Sequence, residues 1–533
     1  MISKEIQTFL DTVENYKYPS YLIAQPHEPT IEVGEIASKA ARYYEKARYA
    51  IDYTEEHLLR RTAIERILRR RLTIEFSSEK DCLSFLVELI QAGYIPNGEL
   101  PERVIPHVQA IIDKALFFQS LVEHIYPSEQ RSHFKRRIIS FATLEIENLF
   151  FPSIVDEAVI QAFYSKVKNH INITNSHIAK EEGDVQIYLA CRRGLFKDDN
   201  TTLFYHLWIM HYPEWNELNK KTEDNDERLK EIAENFAEVN LLIEREIKNT
   251  LYMRLVPKLK NDIIYFSAIR KIVSTQKESS EQIIKNPDQL NFTVREAVEE
   301  EYVKNHAQMR KSTYGAIIYV LITKMFLAGV VELPYDLLVF GKINYLAIII
   351  NTTFHPLLLF GVTMKITKPD RRNTDRIVAG VSSVIYGNGH NKIFLQEEQT
   401  KGFLQYVAFF LYIMVFTFSF GSILWLLSRL GFNIVGIGLF LLFLTFVSYF
   451  GLRVRFIAKK WVVQNDKQTF VSFLWDMFTL PIISLGHWFS LKFSSVNIFI
   501  FIMDFIIEAP FKVVLKTLDT FTHFIKEKKE EIY

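Results

Sequence analysis

The ionisable side chains that could carry chemistry in this chain lie within or beside strongly apolar stretches. Lys324 stands near the middle of residues 315–331, which contain no other Lys, Arg, Asp or Glu. A charged side chain inside an apolar span is costly to bury and often marks an ion or proton pathway, so we expect Lys324 to face protein and to have a partner. The residues of this candidate intramembrane or interfacial polar site are Lys324, Asp476, His487, Asp504 and Glu508.

Two hypotheses follow from these residues. In the first, Lys324, His487 and the acids form an ion or proton path, because histidine titrates near neutral pH. In the second, Lys324 forms a buried structural pair with Asp476, Asp504 or Glu508, and the other acids face water. The second hypothesis is favoured. Transporters commonly contain internal repeats and this sequence shows none, which weakens the case for a transport function without removing it.

A further acidic pair, Glu332 and Asp336, lies near the end of the same apolar stretch. Their spacing is compatible with acid and base catalysis, but Pro334 stands between them and surface acids usually serve solubility. No GxSxG, HExxH or phosphate-binding loop pattern accompanies them. The sequence therefore provides no evidence for an enzyme, and a non-enzymatic function is favoured.

Metal and cofactor sites are not predicted either. His206 and His211 are five residues apart, about 140° around a helix, and do not form a simple two-ligand face. They belong to an aromatic block, residues 203–212, which is expected to pack in a core. Cys82 and Cys191 show no CxxC spacing, which favours reduced thiols in a cytosolic part of the chain.

The surest elements are two runs without Lys, Arg, His, Asp or Glu, residues 403–428 and 431–452. A bilayer core of roughly 30 Å needs about 20 apolar helical residues, so they predict a transmembrane hairpin. Residues 315–331 and 343–364 complete four predicted spans. Residues 470–491 and 496–515 are amphipathic, and we expect a membrane-associated helix pair there, with two further spans as the alternative.

The basic residues are distributed unevenly about these spans. Residues 313–533 carry 21 basic and 14 acidic residues, net +7, and residues 1–312 carry 42 and 48, net −6. The basic clusters flank one side of the spans, which predicts cytoplasmic N- and C-termini at the plasma membrane and contact with anionic lipids. Nucleic acid is not needed to explain the charge. The N-terminus lacks the apolar region of a signal peptide, so insertion is expected from internal segments.

The remaining chain predicts helices without hairpin-connected strands. Expected helices include residues 78–92, 102–125, 128–150 and 153–169, and an interfacial helix before Gly387. A helix over residues 33–72 carries a basic outer face, which could bind acidic lipid or nucleic acid but is more simply a solvated surface. A helix capped by Thr293 is expected to continue into the first span.

The predicted fold class is therefore all-α, with an N-terminal cytosolic helical domain followed by a polytopic helical membrane domain. The expected segments are an N-terminal arm (1–32), a soluble helical domain (33–220), linking amphipathic helices (221–312), a first transmembrane pair (313–364), a cytosolic loop with the interfacial helix (365–402), the hairpin (403–452) and a basic connector with the C-terminal pair (453–533). The favoured function is a membrane-anchored scaffold or interaction protein, with protein partners of the soluble domain. A transporter or channel component is the alternative.

Overall fold

The computed structural model of the chain is nearly all helical. It describes residues 2–16, 18–23, 25, 27–33, 56–72, 79–174, 180–276, 279–364, 366, 368–387, 393–396, 403–463 and 470–495. The described chain forms two compact units: an N-terminal unit from residues 4–171 and 176–259, and a C-terminal unit that contains residues 260–495 with two short earlier segments. The predicted all-helical class is confirmed, and the exceptions are two four-residue strands, β1 (Ile171–Thr174) and β2 (Ile393–Gln396), which pair with each other.

The N-terminal unit contains eleven of the described α-helices. They are α1 (Lys4–Glu14), α2 (Glu56–Leu72), α3 (Glu79–Gln91), α4 (Ile105–Ile125), α5 (Ser128–Phe150), α6 (Ile154–Lys168), α7 (Lys180–Leu195), α8 (Asn200–His211), α9 (Glu223–Glu234), α10 (Phe236–Lys248) and α11 (Leu251–Leu255). The boundaries of α3 to α6 agree with the predicted ones within three residues. The segment predicted as an N-terminal arm contains α1, whose side chains Ile6, Phe9 and Leu10 are buried.

An aromatic cluster forms the core of this unit. The rings of Phe118 and Trp215 meet edge to face with centroids 5.1 Å apart, and Trp208 lies 5.4 Å from Trp215. Trp208 is fully buried, as expected for the 203–212 block. The Lys114 ammonium reaches the Glu145 carboxylate at 2.7 Å within the same core. Such edge-to-face packing stabilises a core beyond the burial of its area.

The basic surface predicted for α2 is largely paired with acids. Arg61 is buried and contacts Asp199 at 2.6 Å, although it was expected on the outer face. Arg69 pairs with Glu65 one turn earlier at 2.5 Å, as the spacing predicts. The described part of this helix therefore does not present a continuous basic patch. The earlier residues of the predicted helix, 33–55, lie mostly outside the described residues.

The C-terminal unit contains the long apolar helices. Its helices are α12 (Lys260–Thr275), α13 (Ser280–Lys285), α14 (Pro287–Leu327), α15 (Tyr345–Met364), α16 (Arg371–Tyr386), α17 (Phe403–Arg429), α18 (Ile434–Ala458) and α19 (Phe470–Ser495). Four helical segments of the described chain are long and apolar enough to cross a membrane: Pro287–Phe340, Tyr345–Met364, Phe409–Arg429 and Ile434–Ala458. A fifth arises only if α5 and α6, bent by 108°, are taken as one span.

The helix α14 begins earlier than the sequence indicated. Asn286 caps it by accepting hydrogen bonds from the next backbone amides, and Pro287 occupies the first turn, where its missing N–H costs nothing. Thr293, the expected cap, lies inside the helix and donates to the Gln289 carbonyl. The 41 residues of α14 extend about 60 Å, which is longer than one bilayer core.

The first part of α14 packs with α12, α13 and α16 to form a compact group that we call the basal layer. Its members share an apolar interior that includes Val298, Ile377 and Val381. The helix α16 ends before Gly387, as predicted, but the apolar face expected to lie on lipid is buried in this layer. Asn373 ties the layer together by donating to Tyr302 Oη at 2.6 Å and to the Trp461 carbonyl at 2.7 Å.

The helix α19 packs against both α17 and α18. Gly431, with a φ of 75°, ends α17 in the left-handed conformation that favours glycine. Asn433 then caps α18 by accepting from Gly436 N at 2.6 Å. The helix α19 approaches α18 so closely at Gly486 that a Cβ there would overlap the Thr445 carbonyl oxygen. Residues 496–515, the second member of the predicted C-terminal pair, lie outside the described residues.

Candidate functional site

Lys324 lies in a buried polar cluster between three of the apolar helices. Its side chain is only 2% exposed. The ammonium donates to Asn351 Oδ1 on α15 at 2.5 Å and to the Leu439 carbonyl on α18 at 3.4 Å. It also lies 4.4 Å from the centroid of the Phe443 ring, whose face attracts a cation. Lys324 of α14 therefore binds both α15 and α18.

Asn351 connects Lys324 to a buried acid. Its amide oxygen accepts from Lys324, and its amide nitrogen donates to Glu332 Oε1 and to the Gly436 carbonyl at 3.4 Å. An asparagine can do both because its side chain contains one acceptor and two donors. Asn351 thus joins a positive and a negative side chain whose burial is tolerable only when each has a partner.

Glu332 is brought into the cluster by an irregular stretch of helix. After α14, residues Ala328–Glu332 form a π-helical turn, Leu333–Tyr335 an α-helical turn and Asp336–Phe340 a second π-helical turn. Pro334 contributes no amide hydrogen here, and its ring prevents the regular pattern from passing through this point. Such π-helical turns occur frequently at functional sites.

Glu332 and Asp336 are 3% and 4% exposed. They were expected to be surface acids near the end of the span, and this expectation is wrong. The widened turns rotate both carboxylates towards α15 and α18, where polar partners are available. A helix period taken from the sequence alone cannot anticipate that rotation, because it depends on where the two π-helical turns form.

Asp336 lies at the end of the cluster, next to the first turns of α15 and α18. Its carboxylate accepts from Asn433 Nδ2 at 2.5 Å and from Asn344 N at 3.3 Å. Asn433 caps α18, and Asn344 accepts from Ala347 N in the first turn of α15. The positive ends of two helix dipoles therefore lie beside this carboxylate, which stabilises its negative charge.

His355 lies one turn beyond Asn351 on α15 and is fully buried. Its Nε2 is 2.9 Å from the Phe440 carbonyl oxygen, and its Nδ1 is 3.1 Å from the Asn351 carbonyl oxygen. A neutral imidazole has one N–H, so only the protonated ring can donate to both carbonyls. His355 therefore joins α15 to α18 one turn from the contact between Lys324 and Asn351.

The described residues of the polar site predicted from the sequence do not lie together. Lys324 is at the centre of the cluster. Asp476 and His487 lie on α19 with exposed side chains, and the ring of His487 packs 5.4 Å from that of Tyr449. Asp504 and Glu508 lie outside the described residues. The acid that Lys324 reaches, through Asn351, is therefore Glu332 and not Asp476.

Two cluster members, Asn351 and His355, were not predicted as site residues: His355 stood out only as the one possible charge in residues 343–364, and Asn351 is uncharged. Their spacing of four residues places them on one face of α15, and this was the signal available in the sequence.

Among the described residues, no group of three or more His, Cys, Asp or Glu side chains is arranged to hold a metal ion. The chain matches no protein-family model, no curated protein and no solved structure.

Proposed function

We propose that this protein is an integral membrane protein that acts as a membrane-anchored helical scaffold or interaction protein. Its anchor is the bundle of four apolar helical segments, and its interaction surface belongs to the N-terminal helical unit. The basic residues flanking the spans support a plasma membrane location with cytoplasmic N- and C-termini and contact with anionic lipids.

This proposal rests on the hydrogen bonds that the polar cluster makes between helices. Lys324, Asn351 and His355 each contact a backbone carbonyl of α18. These contacts join α14, α15 and α18 across a site that excludes solvent. Hydrogen bonds between apolar helices stabilise their association, and buried polar groups fix which helices pair. The cluster therefore fits a fixed anchor.

The scaffold proposal is tested by purifying the full chain from its native membrane in mild detergent after brief chemical cross-linking. We expect one or a few proteins to be recovered in constant stoichiometry, whether the affinity tag is placed at the N-terminus or at the C-terminus. A chain recovered alone and monomeric, with both tags and with the cross-linker, contradicts the proposal.

The second candidate function is that of a transporter or channel component. It is supported by the charged pair Lys324 and Glu332 beside two π-helical turns, and by His355, which faces two carbonyl oxygens. In this case Lys324→Met abolishes proton or ion flux in reconstituted vesicles, and adding Glu332→Gln does not restore it. Equal flux for the native chain and for vesicles without protein excludes this candidate for the ions assayed.

A further inference from the structure

A pocket of about 220 Å³ lies between α14 and the end of α15, away from the polar cluster. On α14 it is lined by His306, Arg310 and Thr313, which recur at helical spacing on one face. On α15 it is lined by Phe360 and Met364, among others. The described lining residues include basic and apolar side chains but no carboxylate.

The most informative residue of the pocket is Thr313. It is 5% exposed, and its Oγ1 has no hydrogen-bond partner within the described part of the chain. The hydroxyls of Thr323 and Thr363 donate to a carbonyl one turn earlier, as threonine in a helix commonly does. A buried hydroxyl without a partner costs free energy, and a ligand oxygen in the pocket would remove that cost.

The pocket lies where the chain changes from polar to apolar. On α14, Arg310 and Lys311 precede the uncharged stretch that begins with Ser312. On α15, Met364 is followed by the basic residues of the next segment. In a helix that crosses a membrane, this boundary is the level of the lipid headgroups.

The rim of the pocket is apolar and accessible. The side chains of Tyr314, Phe360 and Met364 are exposed. Tyr314 and Phe360 lie on the side of the pocket next to the apolar parts of α14 and α15. An amphiphile can therefore place a polar head beside Arg310 and Thr313 and an apolar chain along this rim.

We propose that this pocket binds the phosphate group of an anionic phospholipid. The Arg310 guanidinium pairs with the phosphate, because its planar donors suit phosphate oxygens, and the Thr313 hydroxyl donates a hydrogen bond to it. The acyl chains lie against Tyr314, Phe360 and Met364. A lipid is chosen over free phosphate because the rim is apolar. The inference rests on the proposed membrane integration.

The test uses the full chain, stripped of lipid by detergent exchange and titrated with phosphatidylglycerol under native mass spectrometry. Thr313→Val keeps the shape of the side chain and removes the hydroxyl, and Arg310→Gln removes the charge. Lys311→Gln is the matched control, because Lys311 is exposed, adjacent in sequence and outside the lining of the pocket. Thermal unfolding of each variant establishes that it is folded.

We expect Arg310→Gln and Thr313→Val each to weaken phosphatidylglycerol binding about tenfold, the size of one hydrogen bond to a charged group. Lys311→Gln should change it less than twofold, and phosphatidylcholine should bind more weakly than phosphatidylglycerol. Equal losses for Arg310→Gln and Lys311→Gln overturn the inference, because they indicate diffuse surface charge. Displacement of the lipid by millimolar inorganic phosphate overturns the assignment to a lipid.

Alkaline carbonate extraction of native membranes separates this inference from the proposal on which it rests. A chain that stays in the membrane but binds phosphatidylglycerol no better than its variants refutes the pocket alone. A chain released by carbonate refutes membrane integration, and the inference is overturned with it.

Discussion

Replacing Lys324 by methionine should destabilise the C-terminal unit strongly. Methionine fills a similar volume but removes the charge and the donors that reach Asn351 and the Leu439 carbonyl. The Glu332 carboxylate then remains buried without its positive counterpart, with only the Asn351 amide as a described hydrogen-bond partner. Removing one partner of a buried ion pair in direct contact typically costs about 3–5 kcal/mol.

The loss of interhelical hydrogen bonds adds little to this cost. Such bonds within apolar bundles average about 0.6 kcal/mol each. Because the two side chains are joined through Asn351 and do not touch directly, a value at the lower end of this range, about 3 kcal/mol, is expected. This corresponds to a decrease of roughly a hundredfold in the ratio of folded to unfolded protein.

The assay is unfolding in mixed micelles as the fraction of dodecyl sulfate increases, followed by circular dichroism. Lys342→Met is the matched control, because Lys342 is exposed in the turn before α15 and should tolerate the change within about 0.5 kcal/mol. The double variant Lys324→Met with Glu332→Gln should recover most of the loss, because no buried charge of this pair is then left unpaired.

Two results would refute the reasoning. Unchanged stability of Lys324→Met would mean that Lys324 is not buried against a charged partner. A double variant that is less stable than either single variant would mean that Glu332 does not depend on Lys324. In that case the cluster would not serve as the link between α14, α15 and α18.

The remaining predictions concern other contacts. Burial opposes ionisation of Asp199, but the hydrogen bond and charge of Arg61 prevail and hold the pKa of Asp199 below its ordinary value. Stability from this pair is therefore present above the ordinary aspartate pKa and is lost as the pH falls through the lower, folded-state value. The Asp199 side chain also caps α8 by accepting from Thr202 N at 2.9 Å. Asp199→Asn, which keeps this cap, should reduce that acid dependence and cost about 1 kcal/mol at pH 7, and Asp199→Ala should cost about 1 kcal/mol more, both by thermal unfolding. Gly486→Ala should destabilise the packing of α18 with α19 by about 2 kcal/mol in the micelle assay, whereas Gly421→Ala, with open space around it, should not. Asn373→Ala should lower the melting temperature and increase amide exchange in the basal layer, since it removes hydrogen bonds to two other segments.

The apolar helices could be predicted because their amino-acid composition alone identifies them. Residues 403–428 and 431–452 contain no charge. The helix α17 follows the first run to within one residue, whereas α18 begins three residues after the start of the second run and continues six residues beyond its end. The turn between them could also be anticipated, because Gly431 and Asn433 are typical helix-ending and helix-capping residues. No partner from elsewhere in the chain is needed to place these elements.

The polar cluster could be predicted only in part. That Lys324 needs a partner follows from the cost of burying a charge, but the identity of the partner depends on tertiary packing. Asn351 is 27 residues away, and Glu332 reaches the cluster only because π-helical turns rotate it inward. Likewise, the apolar face of α16 had the periodicity expected for lipid contact, but periodicity does not say whether lipid or protein covers a face.

We propose a topology in which four helical segments cross the membrane with both termini in the cytoplasm. Labelling of single introduced cysteines with a membrane-impermeant maleimide on intact cells tests it most directly, because the native Cys82 and Cys191 are buried. Cysteine in place of Lys342 or Arg429 should be labelled on intact cells, and cysteine in place of Arg372 only after permeabilisation. Labelling of the Arg372 position on intact cells, or none at Lys342 and Arg429, would contradict the account.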